Sequence, residues 1–468
     1  MKRQWIMAGI LCLCLVALGA VWLAMGNSSK PEEKKEEIAL SGKGETARTI
    51  LAENEQGGYT IEWNKEKAAV KGLEDLPVDE AVAKDVKAAL ESLTVERKIE
   101  DGADRLEDFG LSKASARAEI RWEDGTESQL LLGGEVPDEE TSLRYISWNG
   151  EVYTTAAGNV EWLEYGEGDF LSRTLTPSET DGDQTVLVTR VSIVPRDGEE
   201  MTLAYTDSQE LSGYTVNSYE MVSPREYPAD ASITENLFPG LFGLEADAVA
   251  SVHPEESEKE AAGLSDPYKI LQVEYTDAEG KTQSFSLAVG EPKDGQVPVM
   301  ADGVDVIYQC SQDKLSWMNV TEQDLVSHTV LAPDIKTLAS LEIRAGEEEY
   351  AFQMENVGEE EETFRYGEEE LDGDSFRSFY YSLISFSADE VLFEDYPDTS
   401  AMEEAARIRF VYQDGSEDVL TCFQEAPRQL YVKLDQGERG YRMSASLLEN
   451  MLSTAKRLAA GEEITARY

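Results

Sequence analysis

Two histidines, His253 and His328, are all that this chain of 468 residues carries. Histidine is the side chain whose ordinary pKa suits proton transfer near neutrality, so acid–base chemistry resting on it has two places to occur. His328 lies in the phrase Asp324-Leu-Val-Ser-His-Thr329, where a matching phrase, Asp169-Phe-Leu-Ser-Arg-Thr174, has Arg173. A general base does not exchange with arginine between copies of one motif, which argues against a catalytic His328. His253 precedes Pro254 in an acidic loop with no obvious Ser or Cys partner and reads as surface. Cysteine is almost as scarce: there are four, and Cys12 and Cys14 fall inside the first apolar run. The remaining two, Cys310 and Cys422, sit in strand-like segments of different parts of the chain and make no disulfide framework. They read as buried, inert thiols.

Basic residues are also short. Lys and Arg number 41 against 94 Asp and Glu, a net charge of −53 spread along the chain. Nucleic acid and anionic lipid headgroups are both repelled by such a surface, because binding them rests on cations neutralising phosphates. The carboxylates read as a solvated surface, with Ca²⁺ binding as the alternative. The clusters Glu359–Glu362 and Glu368–Asp374 lack the Asp-x-Asp-x-Asp-Gly spacing that arranges oxygens around Ca²⁺, and Asp374 is placed to cap a helix. Gly-x-Ser-x-Gly, a Walker phosphate loop, Cys-x-x-Cys and His-Glu-x-x-His are all missing. Ser311-Gln-Asp-Lys314 and Ser453-Thr-Ala-Lys456 fit Ser-x-x-Lys, but that pattern fixes two positions only and its companion motifs are absent. Trp122, Tyr275 and Tyr412 recur at one strand position and read as core rather than as a sugar-stacking platform.

What the chain does have is a long apolar start and a repeat. Trp5 to Met25 carries no charge and follows Lys2-Arg3. A helix of that length reaches about 30 Å, the thickness of a bilayer core, so residues 5–25 read as a signal-anchor with 1–4 cytoplasmic and the rest outside. Ala24-Met25-Gly26 has the small-x-small form of a cleavage site, so a cleaved signal peptide is the alternative. Residues 26–48 read as a polar stalk. Beyond it the landmarks Phe109-Gly-Leu111, the strand Ala118–Trp122, Asp124-Gly125, Leu132-Gly133, Asn149-Gly150, Tyr153 and Asp169–Thr174 return as Ala262-Gly-Leu264, Ile270–Tyr275, Gly280, Val289-Gly290, Asp302-Gly303, Tyr308 and Asp324–Thr329. A third copy keeps Arg407–Tyr412, Asp414-Gly415, Gly440-Tyr441 and a closing helix. A helix after Leu76-Pro-Val-Asp79, capped by Asp79, has counterparts after Asp230 and at Phe376–Leu383. Terminal helices are expected near 160–165, 314–318 and 446–458.

This order of phrases resembles the bacterial DUF4340 family, a domain of unknown function, through Leu76–Asp79, Phe109–Leu111, Trp122–Gly125, Leu131–Gly133, Asn149–Tyr153 and Asp169–Leu175. The resemblance implies a membrane-anchored envelope protein, often encoded beside ABC transporter components. It brings no catalytic residues.

The expectation is therefore an α+β protein: an N-terminal transmembrane helix, then three tandem units of antiparallel hairpins covered by helices, at 49–177, 185–333 and 335–468. No catalytic, cofactor-binding or metal residue is assigned. The leading function is a non-enzymatic accessory or scaffold for an ABC-type transport or envelope assembly, with the membrane and transporter subunits as partners. A cell-wall glycan or small-ligand binder is the alternative, and an envelope hydrolase the third choice.

Overall fold

The computed structural model describes residues 38–40, 46–65, 67–137, 142–181, 184–206, 218–435 and 439–465. The run 5–25, expected to span a membrane, lies outside the described residues. Among those residues no helix is long and apolar enough to cross a membrane. The chain divides into two compact units, one ending at Ser172 and the other starting at Arg173.

The α+β expectation is overturned, because strand accounts for 43% of the chain and helix for 23%. Large antiparallel sheets are the body of the protein, and helices cover parts of them. The helices expected near 160–165 and 314–318 are short 3₁₀ turns, Glu161–Glu164 and Ser316–Asn319. Each is about one turn long, too short to repay helix nucleation. The helix after Asp230 stops at Asn236, and Pro239 follows where a further turn would need an N–H. Helices of ordinary length remain at Glu80–Glu91, Gly373–Ile384 and Ala445–Ala459. The first is capped as expected, Asp79 accepting from Ala81 N at 2.9 Å, whereas the second is capped by Asp372 and not Asp374.

The first unit holds an eight-stranded sheet, in the order Lys67–Val70, Tyr59–Asn64, Ala47–Asn54, Ala116–Trp122, Glu127–Glu135, Leu143–Trp148, Glu151–Ala156, Arg97–Lys98. Two meanders meet at their first strands, and a short strand from the connection between them lands on the far edge. The second unit repeats this plan twice, each time with nine strands. One sheet runs Tyr227–Pro228, Tyr219–Ser223, Met201–Tyr205, Leu187–Pro195, Lys269–Thr276, Thr282–Val289, Gln296–Ala301, Val306–Ser311, Ala248–Val252. The other runs Glu369–Glu370, Thr363–Tyr366, Glu348–Glu355, Leu338–Ala345, Glu404–Tyr412, Glu417–Ala426, Gln429–Leu434, Arg439–Ser444, Glu390–Leu392. Tyr153, Tyr308 and Tyr441 lie on equivalent strands, opposite Lys98, Val249 and Val391.

Most recurring phrases turn out to be backbone joints. Phe170 O accepts from Asp79 N and Ser172 N donates to Pro77 O, both at 2.7 Å, and in the second copy Leu325 O accepts from Asp230 N and Ser327 N donates to Pro228 O. The Leu-Pro-x-Asp phrase is thus the partner of the Asp-x-x-Ser phrase. The residues that follow Ser327 then enter a second slot. Val330 N donates to Phe386 O, Thr329 bridges Ser387, and Ala388 N donates to His328 O. Leu175, Thr174 and Arg173 make the same three contacts with Leu244, Glu245 and Ala246. In the first unit the matching slot, Leu93–Val95, receives Ile38–Leu40, so this part of the expected stalk is a paired strand.

Phe-Gly-Leu and Leu-x-Gly are likewise one contact. A Cβ on Gly133 would lie 2.4 Å from Phe109 O, and one on Gly290 would lie 2.1 Å from Ala262 O. Only glycine lets those backbones approach. Their shared absence from the third copy is the loss of a single joint.

Candidate functional site

The seam between the last two sheets holds a group of specific side-chain contacts. His328 places Nδ1 2.8 Å from Ala388 O and Nε2 2.9 Å from Gln323 O. Both ring nitrogens therefore face carbonyl oxygens. Arg173, at the same position of the earlier phrase, donates from Nη1 to Asp247 O at 3.0 Å. One repeat position serves one purpose with two side chains, holding the backbone of the receiving segment. Arg225 adds ion pairs to Glu322 at 2.5 Å and Glu394 at 3.5 Å while its guanidinium lies 4.6 Å over the Phe393 ring. The Tyr227 hydroxyl meets that of Tyr441 at 3.0 Å, and Arg439 lies over the Tyr227 ring.

The Ser-x-x-Lys residues of the second copy belong to the same kind of joint. Asp247 Oδ2 accepts from Ser311 Oγ at 2.6 Å, and its Oδ1 accepts from Lys314 Nζ at 2.5 Å. The Lys314 hydrogen bond, then that of Ser311, holds the Asp247 carboxyl down at about 2, and the Lys314 ammonium is raised in turn by Asp247. A lysine kept charged by a carboxylate is no base for the serine beside it. Lys456, on the closing helix, pairs with Glu348 at 2.7 Å.

His253 stands beside Asp305, Nδ1 to Oδ2 3.5 Å, and Lys259 donates to the other oxygen of Asp305 at 2.8 Å. The Lys259 hydrogen bond holds the Asp305 carboxyl below its usual range. Asp305 and Asp302 rim an open groove of about 550 Å³ on the outward face of the second sheet, floored by Ile270, Ala288 and Met300. Sequence reasoning missed this groove, because its floor comes from three strands and its rim from a turn. A comparable groove of about 540 Å³ on the first sheet is edged by Lys71, Glu119, Arg121 and Glu127.

Of the three strand aromatics expected in the core, Trp122 is buried whereas Tyr275 and Tyr412 are half-buried. Trp122 donates Nε1–H to Ser128 Oγ at 3.0 Å and meets Trp148 edge-on. Tyr275 packs against Phe242 and Phe285, and the Tyr412 hydroxyl donates to Asp418 at 2.6 Å. Each of the three faces the residue just before a bulge in the neighbouring strand: Ala47, Val188 and Leu338. Glu362 of the acidic cluster pairs with Arg377 at 2.5 Å. Among the described residues no group of three or more His, Cys, Asp or Glu is arranged to hold a metal ion. Cys310 and Cys422 are free and buried in different sheets.

A family model described as a domain of unknown function, DUF4340, matches residues 69–267 and again 220–410. Each match contains one Asp-x-x-Ser phrase and the segment that receives the residues after it. No curated protein and no solved structure matches the chain.

Proposed function

The chain belongs to the DUF4340 family, whose function is unknown, and from that premise we propose that it is a non-enzymatic scaffold of the cell envelope. On this reading the apolar run Trp5–Met25 holds it at the membrane, the rest of the chain is extracytoplasmic, and its partners are subunits of an ABC-type transport or envelope assembly. One observation carries the reading: the side chains and phrases that recur between copies are spent on joining backbone segments, not on converging in a cleft. Confinement beside a partner raises the effective concentration and lets weak surface contacts suffice. The test is cross-linking in native membranes followed by identification of the captured proteins. Reproducible transporter subunits support the scaffold, and capture of none, with hydrolysis of wall material by the purified chain, overturns it.

The groove rimmed by Asp302 and Asp305 favours a second reading, a small-ligand or glycan binder. Calorimetric titration of the protein with soluble wall fragments separates the two, since a scaffold gives no heat of binding.

A further inference from the structure

Three equivalent segments of this chain each receive an extended strand, and the strand in the first is the least suited to its place. Leu175 N donates to Leu244 O at 2.8 Å and Val330 N to Phe386 O at 3.3 Å, and Leu40 N meets Leu93 O in the same way at 3.0 Å. One residue back, Thr174 bridges Glu245 and Thr329 bridges Ser387, where Ala39 faces Thr94. One further back, Arg173 O and His328 O accept from Ala246 N and Ala388 N, where Ile38 faces Val95. The receiving segments also match on their other side. Glu96 N, Asp247 N and Asp389 N donate to Thr154 O, Gln309 O and Arg442 O, each in its own sheet.

The occupants differ. Arg173-Thr-Leu175 and His328-Thr-Val330 fill the second and third places, and Ile38-Ala-Leu40 fills the first. Arg173 donates to Asp247 O and His328 sets Nδ1 against Ala388 O, whereas an isoleucine side chain carries no donor. Leu175 and Val330 are buried, at 7% and 1% exposure, while Leu40 is half-buried and Ile38 is 45% exposed. The second occupant is held further along as well, Leu244 N donating to Thr176 Oγ1 at 2.9 Å and Gly243 N to Pro177 O at 2.7 Å. An added strand draws affinity from main-chain hydrogen bonds and specificity from its side chains. Ile38–Leu40 has the first without the second.

We propose that the Leu93–Val95 edge is a docking site for an extended segment of another chain that reads Arg or His, then Thr, then Leu or Val, and that Ile38–Leu40 is the plug it displaces. The two segments seated in this chain define that partner's chemistry. The plug is tethered and competes at high effective concentration, so a partner strand enters when it fits better or when the plug is drawn away. This goes beyond the scaffold reading and does not depend on it, because peptide binding reports the edge whatever is captured in membranes. The test is binding of a labelled peptide, Ser-Arg-Thr-Leu-Thr-Pro as in residues 172–177, to the full chain by fluorescence anisotropy. Leu40→Pro removes the N–H that meets Leu93 O, and this variant is expected to bind the peptide about tenfold or more tighter than the parent. Leu40→Gly takes its place if proline prevents folding. Ile38→Arg gives the plug the side chain used at Arg173 and is expected to bind no tighter than the parent. A peptide with Leu175→Pro, which lacks the matching N–H, is expected to bind none of them. Peptide bound to Leu40→Pro is expected to slow amide exchange across Leu93–Val95. Absence of binding to both Leu40 variants, equal binding to every variant, or binding that leaves exchange at Leu93–Val95 unchanged each overturns the proposal.

Discussion

Gln323 clasps the backbone of Val391 on both sides, its Nε2 donating to Val391 O at 2.7 Å and its Oε1 accepting from Val391 N at 3.0 Å. Val391 is already paired with Tyr441 across its other edge, so one amide side chain stands in for a further strand. The earlier phrase has Gly168 in this place and lacks the clasp. Gln323→Ala is expected to destabilise the second unit by about 2 kcal/mol, roughly 1 for each bond, and to expose the Val391 amide to exchange. Gln323→Glu keeps the acceptor, loses the donor and sets a carboxylate against a carbonyl, so it is expected to be no better than alanine. Native thresholds in urea for the two variants check this, and an alanine variant as stable as the parent would sink it.

Gly133→Ala and Gly290→Ala each push a methyl group into a backbone carbonyl. Neither glycine has a positive φ, so contact alone is at issue. Overpacking of this kind costs roughly 1–3 kcal/mol, and the backbone cannot move aside as a side chain does. Both variants are expected to melt lower than the parent in calorimetry, whereas Gly125→Ala, with open space around it, is strained only by its φ of 88°. Equal losses at all three positions would show that the close approach is unimportant.

The hairpins were legible because their turn chemistry is local. Gly125, Asn149, Gly150 and Gly415 all take positive φ, as Asp-Gly and Asn-Gly turns require. The first strand of each sheet was not legible. Ala47–Asn54, Leu187–Pro195 and Leu338–Ala345 each carry a bulge near their start, which shifts the alternation that marks a strand. The phrases Asp169–Thr174 and Asp324–Thr329 could be found by recurrence, but their partners lie far along the chain. Nothing in sequence spacing says that Asp79 N bonds Phe170 O or that Phe109 and Gly133 touch.

Acid should loosen the joint around Asp247 only as pH falls towards 2. Its carboxyl is depressed from roughly 4 to about 2, so its contribution is complete above the unfolded value and is lost as pH falls through the folded one. The side chain is 35% exposed, so solvent screening keeps the contribution small. Carbon NMR titration is expected to place its midpoint near 2 and to move it upward in Lys314→Met. A midpoint that Lys314→Met leaves unchanged would contradict the assigned cause.

Cys310 and Cys422 should be silent in the folded protein. Burial pushes their thiols up to about 11 and about 12, and the thiolate is the reactive form. At pH 8 a chromogenic disulfide reagent is expected to react with neither until denaturant is added. Rapid labelling of Cys422 in the native state would mean that the third sheet opens locally.

Arg173 and His328 share a repeat position and each holds a carbonyl of the segment it faces. If that is the whole of their role, the two side chains should be exchangeable where a plain apolar one is not. His328→Leu removes a donor from the Ala388 and Gln323 carbonyls, and at this half-buried site the loss falls at the low end of the about 1–3 kcal/mol that an unsatisfied buried acceptor costs. His328→Arg restores charge-assisted donors of the kind used at Arg173, with a longer reach that the partly exposed site can accommodate. The expected order of stability is parent, then Arg close behind, then Leu. Amide exchange at Ala388 and Val330, whose N–H groups bond His328 O and Phe386 O, reports the joint directly. Fast exchange in His328→Leu with near-parent exchange in His328→Arg supports a holding role. An arginine variant that exchanges as fast as the leucine variant would mean that the imidazole does something at this seam that Arg173 does not.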